Sequence, residues 1–490
     1  MREKSRSARI RERLNHPIID SDGHVAEFEP AFFDYLKNVA GGAMVERLKS
    51  LPDSPLHFRW YRLTPEERRR QRVPRPHWWV HPTRNTLDRA TSSLPRLLHE
   101  RLDEMGLDYT IIYPSIGLFA LHLADDELRR AASRAWNQLH AEIFREYRDR
   151  MTPVAVIPMH SPAEAVAELE YAVGTLGLKA IVMAGWVRRP LEAAAKWPPE
   201  ASRYGFWLDT FGLDSAHDYD PVWRKCIELK VAPAFHSPSA GLGFRGSISN
   251  FMYNHVGHFA ASAEAICKAI FFGGVTRRFP ELRFSFLEGG AGWACGLYGD
   301  LIGHWEKHNR ESVANFDPRN LDRDLLRKLF REYGGDYGDA LVARLGHDES
   351  QLLWGSWEED PANRAQLDEW ARCAIESKED IRELFVPKFF FGCEGDDRLA
   401  AVAFNSRLNP LGARLNAIYS SDLGHFDLPD MRDAAYEAWE LVEHGLINED
   451  DFRDFVFVNA VRAKTDLNPD FFKGTRVEDE VARLLSRLEL

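Results

Sequence analysis

The chain has 490 residues, 44% of them hydrophobic and 12% aromatic, enough apolar material for one large core. Its 63 Lys and Arg against 75 Asp and Glu leave a net charge of −12, which argues against nucleic acid as the main partner. No stretch approaches the roughly 18 apolar residues of a membrane span. Met1 to Arg13 is basic but has no apolar run behind it, so a cytoplasmic protein without a signal peptide is expected.

In chain order, Pro17-Ile18-Ile19-Asp20 predicts a first strand that runs on into Ser21-Asp22-Gly23-His24. Residues two apart on a strand point to the same side, so Asp22 and His24 can reach one point in space. Residues 40–100 read as an irregular excursion, with the Arg-rich run Pro65 to Arg72 as a solvated helix face. Further strands are predicted at 109–113, 153–158, 179–183, 232–236, 283–287, 389–393 and 416–420. Helical spacing marks 162–175 and 263–271, and 220–231 reads as a helix leading straight into the fifth strand.

Eight strands alternating with helices favour a parallel closed barrel over an open sheet. The expected fold is therefore a distorted (β/α)8 TIM barrel forming a single domain over 1–490. A helical insertion is expected at 300–386, between the sixth and seventh strands. Within it Asp322 to Phe330 carries an apolar stripe that must bury somewhere, over the pocket mouth or in a homodimer contact. The five cysteines (Cys226, Cys267, Cys295, Cys373, Cys393) are scattered, without a CxxC pair, and predict neither disulfide framework nor zinc ribbon.

Four apolar strands end in a metal-ligand type: Asp22 with His24, His236, Glu288 and Asp422. A parallel barrel collects its strand C-termini on one face, where active sites are built. Other candidates at that face are His255 and His258 after the fifth strand, His425 three residues after Asp422, and Asp396 and Asp397 after the seventh strand. Trp78, Trp79 and Trp186 read as packing, and Trp293 stands close to Glu288.

These residues resemble the amidohydrolase superfamily, in particular its amidohydrolase-related branch with aminocarboxymuconate semialdehyde decarboxylase. The resemblance runs over most of the chain. It is carried by Ile18 to Val25, Arg101 to Pro114, Gly273 to Arg283, Phe286 to Trp293 and Ser421 to Asp427. It implies that Asp22, His24, His236 and Asp422 bind a divalent metal, zinc foremost, with iron or manganese as alternatives, one or two per chain. Two positions depart from the family: the first strand has Asp-x-His for His-x-His, and Glu288 stands where the best-known members place a His. Glu288 can ligate a second metal, act as general base or orient a water.

The expected activity is hydrolysis of an amide, ester or thioester of a small, fairly apolar or aromatic acid by a metal-activated water. Asp422, Glu288 and His258 are the expected catalytic groups, and His255, His425 and Trp293 would touch the small-molecule substrate. The alternatives are a metal-dependent non-oxidative decarboxylase of an aromatic or unsaturated acid and a non-enzymatic barrel.

Overall fold

The computed structural model describes residues 4–488 apart from 52–57, 78–83, 203, 238–245, 318–319 and 346–367; Trp78 and Trp79 lie outside the described residues. The chain divides into two compact units, Met1–Tyr298 with Arg382–Leu490, and Gly299–Ile381.

The larger unit holds eight parallel strands in the order β1 (Ile19–Val25), β2 (Tyr109–Pro114), β3 (Met151–Ile157), β4 (Ala180–Met183), β7 (Ala234–Phe235), β8 (Phe284–Phe286), β9 (Phe389–Glu394) and β10 (Asn416–Ser420). All eight expected strands are present, flanked by helices, as a (β/α)8 barrel requires. The ring closes where β10 meets β1: Asp422 N–H donates to the Asp22 carbonyl at 3.0 Å and His24 N–H to the Leu423 carbonyl at 2.8 Å.

One buried carboxylate pins that seam. Asp20 accepts from Ser421 N–H (2.9 Å), Ser421 Oγ (2.7 Å), Thr110 Oγ1 (2.8 Å) and Asp22 N–H (3.2 Å). Between paired residues β1 takes three steps, from Asp20 to Gly23, where β2 takes two, from Thr110 to Ile112, a bulge that re-aims the end of the strand. Gly23 is required there, since a Cβ would come within 2.7 Å of both Asp20 Oδ2 and Thr110 Oγ1.

The packing of the strands changes character around the ring. The β1–β4 side is aliphatic, with Ile19, Ile111, Val154, Val156 and Ile181 fully buried. The β7–β9 side is aromatic: Phe286 lies 5.6 Å from Phe235, 5.5 Å from Phe389 and 6.1 Å from Phe391, ring centre to ring centre. Offset and edge-on ring pairs add about 0.5–1.5 kcal/mol each beyond the area they bury. The five cysteines are free and buried, as expected.

Some local readings change. Residues expected to be an irregular excursion form the short helices Gly42–Ser50, Pro65–Gln71, Thr86–Thr91 and Pro95–Met105. The Arg-rich Pro65–Gln71 buries no residue and is closed by a Thr64–Glu67 capping box. The helix over 162–175 keeps α geometry only to Leu169 and finishes as a π-helical turn, Glu170–Thr175. Asp220–Glu228 does not lead straight into its strand, because Lys230 turns left-handed (φ 54°) before Ala234. A two-stranded antiparallel ribbon, β5 (Val187–Pro190) with β6 (Phe206–Asp209), was not expected. In the smaller unit the described residues include helices Arg323–Tyr333 and Gly335–Leu345; Leu325 and Leu329 of the apolar stripe are 49% and 41% exposed.

Candidate metal centre

The C-terminal ends of β1, β7, β8 and β10 bring the strand-end residues together. Asp22, His24 and His236 each offer a ligand atom within 4.8 Å of the others, as do His24, Asp422 and His425, and Glu288, Glu394 and Asp422. His24 Nε2 stands 3.4 Å from Asp22 Oδ1 and 3.5 Å from Asp422 Oδ1. His236 Nε2 stands 2.8 Å from Glu288 Oε2 and 4.0 Å from Asp22 Oδ2. Asp22, His24, His236 and Asp422 are all at most 3% exposed.

Backbone geometry helps to aim these side chains. Glu288 and Asp422 both sit in the left-handed region, at φ 59° and 48°, which L-residues adopt sparingly and which recurs at functional sites. Gly424 (φ 97°) follows; a Cβ there would come within 2.7 Å of the His24 carbonyl. His236 Nδ1–H donates to the Ser237 carbonyl at 2.8 Å, which fixes the tautomer and turns Nε2 into the site.

The electrostatics fit a cation. Burial pushes the Asp22 and Asp422 carboxyls well above the usual carboxylate range, and the Glu288 charge pushes them further. Glu394 is raised the same way, by burial and then by Glu288 and Asp427. Burial lowers His236, but the Glu288 and Asp22 carboxylates outweigh it and raise the imidazole to about 9. Asp22 Oδ1, His236 Nε2 and Glu288 Oε2 are buried without a hydrogen bond, although Glu288 and His236 nearly touch. Atoms that crowd a common point off hydrogen-bond directions are arranged for a third partner. A mixed imidazole and carboxylate set without thiolate suits a divalent ion such as zinc, iron or manganese.

The remaining candidates divide. His425 joins the site: Nδ1 is 2.7 Å from Asp422 Oδ1, and its ring stacks on His24 at 4.1 Å. His255 rests against Phe259 and Phe426, each 5.4 Å away. His258 belongs to none of the three ligand groups; it opens helix His258–Phe272. Trp186 packs on His122 at 4.5 Å. Trp293 packs edge-on to Phe391 and leaves Nε1 buried without a hydrogen bond. It lines a cavity of about 320 Å³ with Phe259, Glu288, Glu394, Asp397 and Leu399. Asp396 is exposed.

Sequence reasoning missed Glu394, Asp427 and Ser115. Glu394 is the last residue of β9, one past the predicted strand end, so the strand-terminus rule would have found it with the strand drawn one residue longer. Asp427 closes the run that starts at Ser421, and nothing in spacing alone separates it from a solvated loop acid.

An amidohydrolase family model matches residues 78–337, more than half of the chain; the match takes in His236 and Glu288 but not Asp22, His24 or Asp422. No curated protein matches. Similar solved structures include 2,6-dihydroxybenzoate decarboxylase from Rhizobium, 14% identical with TM-score 0.46, covering 92% of this chain and 99% of that one. Another is 5-carboxyvanillate decarboxylase from Sphingomonas paucimobilis, 15% identical with TM-score 0.47, covering 91% and 98%. A third is 4-oxalomesaconate hydratase from Rhodopseudomonas palustris, 14% identical with TM-score 0.43, covering 96% and 100%. With the matched model spanning most of the barrel, the chain belongs to the amidohydrolase family of enzymes.

Proposed function

We propose that this enzyme is a metal-dependent hydrolase of an amide, ester or thioester of a small, uncharged, fairly apolar or aromatic acid. The observation that carries the reading is the buried pair Glu288 Oε2 and His236 Nε2, 2.8 Å apart, beside Asp22 and Asp422. Asp22, His24, His236 and Asp422 would hold the ion, zinc first. A divalent ion there supplies Lewis acidity, polarising a carbonyl and lowering the pKa of water to roughly 7.

The chain's own groups then handle the proton. Glu288, whose Oε2 stands 2.8 Å from His236 Nε2 beside the candidate ligands, takes a proton from the attacking water. Water oxygen adds to the acyl carbon as its carbonyl opens, the bond from that carbon to the leaving nitrogen, oxygen or sulfur breaks as the carbonyl re-forms, and the proton that Glu288 took passes by way of Asp422, within 4.8 Å of it, to the leaving atom. Phe259, Trp293 and Leu399 offer an apolar wall for the acyl part, and Trp293 Nε1–H can donate to a substrate oxygen. His258 has no step in this scheme.

The cavity chemistry favours hydrolysis over decarboxylation. Its charged lining residues among those described are Glu288, Glu394 and Asp397, with no Lys or Arg. A substrate carboxylate would meet like charge there, whereas a neutral acyl compound would not. The test is metal analysis of purified protein, followed by a panel of neutral aryl esters, thioesters and anilides set against hydroxybenzoates. At least one divalent ion per chain and metal-dependent release of the acid are expected. Evolution of CO₂ from the hydroxybenzoates, with the neutral panel inert, would replace this reading.

A further inference from the structure

Ser115 and Glu27, which the proposed mechanism does not use, reach the site through His425. Its Nδ1 is 2.7 Å from Asp422 Oδ1 and its Nε2 is 2.9 Å from Ser115 Oγ. Only a donor can satisfy a carboxylate oxygen, so Nδ1 carries the ring proton and Nε2 is left as an acceptor. Ser115 is then the donor to Nε2, and its hydroxyl selects that tautomer.

Ser115 is itself held from behind. Glu27, 7% exposed, accepts from the N–H groups of Ser115 (3.2 Å), Ile116 (2.9 Å) and Gly117 (3.0 Å), the turn that follows β2. Ser115 N–H is shared with the Val25 carbonyl at 3.2 Å. One buried carboxylate after β1 thus fixes the turn after β2. That turn fixes the ring after β10, and the ring stacks on His24 of β1. The array closes on two of the four candidate ligands, His24 and Asp422.

We infer that Ser115, positioned by Glu27, is a positioning residue for the metal centre: through His425 it holds the Asp422 carboxylate in ligating orientation. The inference rests on the proposed metal site and adds to it two residues outside the ligand set. Partners of this kind, hydrogen-bonded to a ligating group, typically change metal affinity by 10–100-fold when removed. The same three groups have the connectivity of a Ser-His-Asp nucleophile set. The N–H groups nearest Ser115 Oγ, however, are taken up by Glu27, which leaves none of them to stabilise an oxyanion.

The experiment is competition for Zn²⁺ between a chromogenic chelator and full-length protein, with melting curves to confirm folding. Ser115→Ala should weaken Zn²⁺ binding about 10-fold or more, and Ser115→Thr, which keeps the hydroxyl, should restore most of it. His425→Asn keeps a donor near the Nδ1 position and needs no help from Ser115, so Ser115→Ala should cost nothing further in that background. Should Ser115→Ala not fold, Glu27→Gln carries the test: weaker Zn²⁺ binding in a folded variant supports the positioning role, and wild-type affinity overturns it. Equal Zn²⁺ affinity in wild type and Ser115→Ala would overturn the positioning role and leave the metal site standing. Wild type that binds no Zn²⁺, iron or manganese would instead sink the proposed function, and this inference with it. Covalent labelling of Ser115 by a fluorophosphonate in the metal-free protein would also overturn it, by making Ser115 a nucleophile.

Discussion

The two halves of the barrel mouth are oppositely furnished, and the β8 to β10 half is the less deeply buried. On the β1 and β7 side Asp22 has His24, His236 and the buried Lys464 for company, and Lys464 is held down to about 8 by burial with Asp22 pulling the other way. On the β8 to β10 side burial raises Glu394, Asp422 and Asp427, and the Glu288 charge adds to each. The first side can balance its own charge. The second cannot ionise fully without a cation, so the two halves should respond differently to substitution, to pH and to metal removal.

The sharpest break is at His236, which links the halves. His236→Ala removes a candidate ligand and leaves Glu288 without its 2.8 Å neighbour. Metal content should fall well below one per chain, and kcat/KM should drop by more than the roughly 10²-fold typical of losing an outer partner. Elemental analysis beside a rate measurement checks this. Full occupancy in that variant would put the ion elsewhere.

Glu288→Gln keeps shape and removes charge. We expect kcat to fall by roughly 10²-fold, the usual contribution of a positioned base, with KM little changed and the melting temperature unchanged or raised. Turnover close to wild type would make Glu288 structural and leave proton transfer to Asp422 alone.

Much of this comparison is legible in the sequence, and the limit has a physical cause. Strand ends are read from apolar runs stopping at a polar residue, and in a parallel barrel that rule alone gathers Asp22, His24, His236, Glu288 and Asp422 onto one face. The rule fails where the decisive feature is not periodic. The β1 bulge, which re-aims the strand between Asp20 and Gly23, leaves no pattern in composition. Ser115 and Glu27 sit in turns, and their meaning comes from a ring 310 residues away in the chain. The ribbon β5–β6 is short and partly exposed, so it lacks the apolar run that marked the barrel strands.

pH separates the halves without mutation. Asp22, Asp422 and Glu394 have raised folded-state values, so their contribution to stability is fully present below the unfolded value of about 4 and is lost as pH rises through the folded value. His236, raised to about 9, contributes fully below about 6.5 and loses that contribution as pH passes through about 9. Both trends have the same sign. Metal-free protein should therefore lose melting temperature steadily from pH 5.5 to 8.5. Bound metal takes over the carboxylates, and the gap between metal-loaded and chelator-treated protein should widen over the same range. A gap independent of pH would mean that the carboxylates are not the groups the metal relieves.

The smallest expected effect is at Glu394, and it tests whether the acidic half is a ligand set or a wall. Glu394 lines the cavity beside Glu288 and is raised mainly by burial and by its acidic neighbours. If it only shapes the cavity, Glu394→Gln removes one repelling charge. The metal-free protein should then melt a degree or two higher, on the scale of a relieved like-charge contact in a chain this long, with kcat lowered by less than about 10-fold. KM for a neutral ester should hardly move. The inhibition constant of the matching free carboxylate should fall, because that ligand alone feels the lost charge. If Glu394 instead holds a second cation with Glu288 and Asp422, the variant bound to metal loses one ion per chain and its rate falls as far as that of Glu288→Gln. Metal stoichiometry and the carboxylate inhibition constant, measured on one preparation, decide between the two, and the lower metal affinity expected of an all-carboxylate set favours the wall.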